Sequence, residues 1–185
     1  MRLDLLVAIV NIGIGGWYPQ GQARLRSYCQ GYPLEFADEL PSGYPSHEHR
    51  PYMLKVLWLS RALQRHSKVL WLDCSVVPLR PLQDFVEYIQ GHAFTKEYGV
   101  YAYRSGMTVG QTCNDRALAI AGLPREALSL PELASTIVYI DKTNDRGRDV
   151  AYWWERLAVL GAIKGSRLHE PSESPRKEFL FHRQD

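Results

Sequence analysis

Lys68-Val69-Leu70-Trp71-Leu72-Asp73-Cys74-Ser75-Val76-Val77 opens with an apolar run that has no polar alternation. Such a run marks a strand covered on both faces, as the strands of α/β sheets are. It ends abruptly in a carboxylate, followed two positions later by a hydroxyl. Burying an unpaired carboxylate is costly, so Asp73 is expected at the strand's carboxyl end. There α/β sheets open a crevice for ligands, and a cation or sugar hydroxyl can satisfy the charge. The plainer alternative is an Asp that only caps the next turn.

Immediately upstream, from Tyr52 to His66, Met53, Leu54, Leu57, Trp58 and Leu63 recur near helical spacing, so a helix feeds directly into the Asp73 strand. Earlier still, Leu5-Leu6-Val7-Ala8-Ile9-Val10 is a second run of the buried-strand type. It leads into the glycine turn Asn11-Ile12-Gly13-Ile14-Gly15-Gly16. Gln22 to Gln30 has the makings of a short helix. Gly31 to Pro51, rich in Pro, Gly and Ser, is expected to be a long loop, a length uncommon without a function.

Downstream, Pro78 and Pro81 end the strand, and Asp84 to Gln90 followed by Gly91 resembles a short capped helix. Gly99 to Tyr103 and Ala134 to Ile140 have the β-branched and aromatic content of strands, with Asn114 to Ala121 helical between them. Asp149 is expected to cap a helix carrying Val150, Trp153, Trp154, Leu157 and Ala158, with its tryptophans as core anchors. Strand and helix signals thus alternate, which predicts an α/β fold.

With 185 residues, 45% of them hydrophobic, one core suffices and a single domain over residues 1–185 is expected. Charge is nearly balanced, 22 basic against 20 acidic, without a like-charged block, so a nucleic-acid partner is permitted but not indicated. Cys29, Cys74 and Cys113 are odd in number and lack CxxC spacing, which speaks against a disulfide framework or structural zinc. The apolar opening is interrupted by Asp4 and lacks a cleavage site, and no segment approaches the ~18 apolar residues of a membrane span. A cytoplasmic protein is expected.

Three constellations carry chemistry. A GxGxxG dinucleotide fingerprint starting at Gly13 would need glycine at position 18, where Tyr18 stands, and so fails. Asp73 and Ser75 form a D-x-S variant of the D-x-D arrangement, in which two oxygen ligands on one side of an extended chain share a divalent cation. His182 and Asp185 bring an imidazole and a carboxylate close together in sequence near the chain's end, suited to the same ion.

In order along the chain stand Val7-Ala8-Ile9-Val10-Asn11-Ile12-Gly13 with Tyr18 and Arg24, His49-Arg50-Pro51-Tyr52-Met53-Leu54-Lys55, Val69 to Ser75, and His182-Arg183-Gln184-Asp185. This layout resembles nucleotide-sugar-dependent glycosyltransferases of the GT-A fold, in the bacterial and viral manner. The resemblance implies a mixed, mostly parallel sheet flanked by helices and a nucleotide-diphosphate sugar as donor. It implies that Asn11, Tyr18 and Arg24 line the nucleoside site, that Lys55 approaches the diphosphate, and that Asp73 meets the ribose or a metal. Asp73, Ser75 and His182 would then hold a divalent cation, Mn or Mg. Ser75 in place of the second acid removes a full charge from that site, so metal is expected to bind weakly or be dispensable.

By the same resemblance, sugar passes to an acceptor hydroxyl while a cation or Lys55 stabilises the leaving diphosphate. Glu132 and Asp185 are the carboxylates considered as general base, beside Asp73. The acceptor, whether saccharide, metabolite, protein or hydroxylated DNA base, is not specified by any motif. Relatives usually continue beyond the late histidine, so the acceptor-binding portion is expected to be minimal, supplied by a partner, or missing. Two other classes compete. One is a non-catalytic nucleotide-sugar-binding protein. The other is a haloacid-dehalogenase-like phosphotransferase, which needs a second acid at position 75 and its aspartate on the first strand.

Overall fold

The structure is a computed structural model and describes residues 6–44, 51–163 and 176–178. Its elements follow the chain as β1 (Val7–Ile12), α1 (Tyr18–Tyr28), β2 (Leu34–Ala37), α2 (Pro51–Arg65), β3 (Lys68–Leu72), α3 (Leu82–Gly91) and α4 (Ala93–Tyr98). There follow β4 (Val100–Thr108), α5 (Val109–Thr112), α6 (Asp115–Ala121), a 3-10 turn (Arg125–Ser129), β5 (Pro131–Asp141) and α7 (Asp145–Val159). The strands form one five-stranded sheet in the order β2-β1-β3-β5-β4.

The two apolar runs become the adjacent parallel strands β1 and β3, with Val7 opposite Lys68 and Val10 opposite Trp71. Alternation sorts their side chains into two layers. Ala8, Val10, Val69, Trp71, Val138 and Ile140 face Trp58, Leu59, Ala62 and Leu63 of α2, with Trp154 of α7 against them. Val7, Ile9, Leu70, Leu72 and Tyr139 face Leu25 of α1 and Leu82, Val86 and Ile89 of α3. Both faces of the sheet are covered, which is why neither run alternates in polarity.

The expected mixed α/β sheet is present, but it is evenly divided rather than mostly parallel. β1 pairs in parallel with β2 and β3, whereas β5 is antiparallel to both β3 and β4. Other boundaries shift as well. Within the expected Gly31–Pro51 loop, Leu34–Ala37 adds to the edge of β1, a four-residue strand too short and half-buried to show a pattern. α1 begins four residues early, at Tyr18, with Pro19 in its first turn, where a missing N–H costs nothing.

α7 is capped by Asn144, whose Oδ1 accepts from Arg146 N at 2.9 Å and Gly147 N at 3.3 Å, so Asp149 lies inside the helix and does not cap it. Of its tryptophans only Trp154 packs on the core; Trp153 is 57% exposed, against the expectation of an anchor. Asn114 caps α6 through Ala117 N at 2.8 Å. No disulfide joins Cys29, Cys74 and Cys113. Among the described residues, no helix is long and apolar enough to cross a membrane.

Candidate functional site

β1 and β3 run in the same direction, so Ile12 and Asp73 emerge at one edge of the sheet, with Asp73 held in place by its N–H, which donates to Thr136 O of β5 at 2.9 Å. Beyond Leu72, which pairs with Ile137, the first six residues of β5 continue past the end of β3 and pair only with β4. That overhang walls one side of the edge where Asp73 emerges.

The chain turns sharply after Asp73. Val76 N–H donates to Asp73 O at 2.9 Å, so Asp73 to Val76 form a turn rather than the extended segment expected for a D-x-S cation clamp, and Ser75 is exposed on it. The turn is bolted to the rest of the edge. Asn11 Nδ2 donates to Leu72 O at 2.6 Å, and the Cys74 thiol donates to Asn11 Oδ1 at 3.3 Å and Ile12 O at 3.2 Å. Arg24 of α1 donates to Cys74 O at 2.9 Å. Gly21 lets α1 lie directly on the turn, since a Cβ there would stand 2.4 Å from Cys74 O. Burial pushes the Cys74 thiol pKa up, against the pull of its bond to Asn11, so it remains a protonated donor at neutral pH.

Asp73 itself is met from below. Its Oδ1 accepts from Trp71 Nε1 at 2.5 Å and lies 3.3 Å from Lys55 Nζ. Lys55, one of few buried cations in the fold at 7% exposure, also donates to Ser135 Oγ at 3.0 Å and Ser135 O at 3.3 Å. Its ammonium lies 5.4 Å from the centre of the Trp71 ring. α2 thus delivers a positive charge from one side of the sheet to the carboxylate that β3 delivers from the other direction, and the two charges offset each other where water is scarce.

Asn11, Arg24, Lys55, Asp73 and Ser75, all singled out from the sequence, therefore gather at this edge. Asn11 is wholly buried and links the two strand ends. Tyr18 opens α1 close by, its ring 4.8 Å from that of Trp17, which is half exposed after the left-handed glycines Gly15 and Gly16. Glu132 does not join the group. It is buried on the overhang of β5 near Cys113, whose thiol its charge helps to push up after burial itself. Four residues beyond Thr136, it stands roughly 13 Å along the strand from the Asp73 contact. His182 and Asp185 lie outside the described residues. Sequence reasoning missed Trp71, Ser135, Cys74 and Gln22. The last of these donates from Nε2 to Ala37 O at 3.0 Å, beside Gly13.

A cavity of about 530 Å³ opens beside the same turn, on the opposite face from the Asp73 carboxylate, lined by Leu72, Val76, Pro78, Phe85, Tyr88 and Ile137 among others. Its walls are apolar and suit no diphosphate. Nor do the described residues fit a divalent cation. No three His, Cys, Asp or Glu side chains gather among them, Ser75 supplies no charge, and an ammonium already faces the one carboxylate at the edge.

A mixed sheet whose parallel half ends in a turn carrying a carboxylate, with helices on both faces, defines a GT-A-like glycosyltransferase fold. The solved structure it matches is described as that of a glycosyltransferase involved in the glycosylation of the major capsid of PBCV-1. The match has a TM-score of 0.52 at 11% identity and covers 84% of this chain and 66% of that one. This chain spans just under two thirds of that protein's length. No family model matches the chain, and no curated protein does.

Proposed function

We propose that this chain is a nucleotide-sugar-dependent glycosyltransferase, moving a sugar from a nucleotide-diphosphate donor to an acceptor hydroxyl. The observation that carries the proposal is the placement of Asp73 at the carboxyl edge of the parallel strands, in a fold shared with a solved glycosyltransferase. Ligands of open α/β sheets bind outside those strand ends. In this reading the nucleoside lies over the loop after β1, near Trp17 and Tyr18, and Asp73 accepts a hydrogen bond from a ribose or sugar hydroxyl. Arg24, Asn11 and Cys74 hold the turn that presents it, and donors arranged in advance lose little on binding.

The cancelled charge at Asp73 and the neutral Ser75 also favour a second reading, a protein that binds nucleotide sugars without turning them over. The two separate in one assay. The purified chain is incubated with UDP and GDP sugars, and both sugar release and transfer to simple acceptors are followed. Turnover that Asp73→Asn removes supports the transferase, binding without turnover supports the second reading, and no interaction with any nucleotide sugar refutes both.

A further inference from the structure

We propose that the Lys55 ammonium is the resident cation of the Asp73 site, so that nucleoside-diphosphate binding at this edge needs no divalent metal ion. The inference rests on the transferase reading for its ligand, but its claim about the ion stands on the geometry. An ammonium has three N–H donors, and three acceptors surround this one: Asp73 Oδ1 at 3.3 Å, Ser135 Oγ at 3.0 Å and Ser135 O at 3.3 Å. The stem comes from α2, with Leu54 and Val56 buried on either side of it, so the charge is fixed rather than roaming.

A divalent ion bound to Asp73 Oδ1 at the usual short distance would lie no more than about 5–6 Å from that ammonium. Its attraction to the carboxylate would be opposed by the lysine, and Ser75 offers no second charge to tip the balance. Lys55 and Asp73 together sum to zero, where a site with two acids facing the same lysine would keep a net negative charge for the metal. The lysine also fixes the orientation of the carboxylate, leaving it to receive a hydroxyl of the donor.

The test uses two readouts on the whole chain. Mn²⁺ is titrated into the protein alone and followed by electron paramagnetic resonance. UDP and GDP are titrated by calorimetry in EDTA and then in Mn²⁺. The expected results are a Mn²⁺ titration that Asp73→Asn leaves unchanged, and nucleotide affinities within about three-fold in the two buffers. Lys55→Met is expected to gain ten-fold or more in nucleotide affinity when Mn²⁺ replaces EDTA, because the carboxylate is then unpaired. Lys55→Arg keeps the charge and is expected to be as indifferent to Mn²⁺ as the wild type, which serves if the methionine variant fails to fold.

A Mn²⁺ site lost in Asp73→Asn overturns the proposal. So does a wild-type nucleotide affinity that rises more than three-fold with Mn²⁺, or a folded Lys55→Met protein that ignores the ion. If neither nucleotide binds in either buffer, the transferase reading fails, while the Mn²⁺ titration still decides the claim about the ion.

Discussion

Removing the charge of Lys55 probes the site's internal balance through stability, with no ligand needed. Lys55→Met keeps most of the stem in place under β3 and removes only the ammonium. At 3.3 Å and an effective dielectric constant near 20, the attraction between Lys55 and Asp73 has a ceiling of about 5 kcal/mol. The Asp73 side chain keeps 28% of its exposure, so water screens it and reduces that figure. Leaving a half-buried carboxylate without its counter-charge is expected to cost about 2–3 kcal/mol. Asp73→Asn keeps the shape and is expected to cost about 1–2 kcal/mol.

Because each change removes the same interaction, the double variant should be more stable than the sum of the two predicts, with a coupling of about 1–2 kcal/mol. Urea unfolding midpoints for the four proteins measure it. Additive effects, with a coupling below about 0.3 kcal/mol, would show that the pair does not support itself and that the ammonium is not held for the carboxylate's sake.

Gly21→Ala should lower stability by about 2–3 kcal/mol in thermal unfolding, because the new methyl would meet Cys74 O at 2.4 Å and push α1 off the Asp73 turn. Trp153→Ala should change stability by under about 0.5 kcal/mol, whereas Trp154→Ala should cost about 2–3 kcal/mol, since only the second packs on the core. Burial pushes the pKa of the Cys29 thiol from 9.0 up to about 11. Above pH 9 the unfolded chain therefore loses this proton first, and stability falls between pH 9 and 11. Cys29→Ala should flatten that fall, as followed by urea midpoints across the range; an unchanged slope would assign the fall to other groups.

The core strands were legible because burial on both faces writes itself as an unbroken apolar run, as in Val7 to Val10 and Val69 to Leu72. β2 was not, because four residues at a sheet's edge need only pair with β1 and carry no pattern of their own. Asp73 stood out as a charge closing an apolar run, and Trp71, two residues earlier on the same face of an alternating strand, was within reach of the same logic. Ser135 was beyond it: its contact with Lys55 spans 80 residues, and nothing local marks a serine as the seat of an ammonium. The expected D-x-S clamp presumed extended backbone through Ser75. The thiol of Cys74 instead reaches Asn11 and Ile12, and the chain turns at once, which no residue spacing foretells. Trp153 and Trp154 illustrate the limit of composition, since adjacent residues on a surface helix cannot both face the core.

The most direct trial of the account is a crystal of the chain grown or soaked with a UDP or GDP sugar. A nucleotide lying across the ends of β1 and β3, with a ribose or sugar hydroxyl within about 2.6–3.2 Å of the Asp73 carboxylate, is the predicted result. A nucleotide lodged instead in the apolar cavity between Val76 and Tyr88, or anywhere that leaves Asp73 untouched, would contradict it.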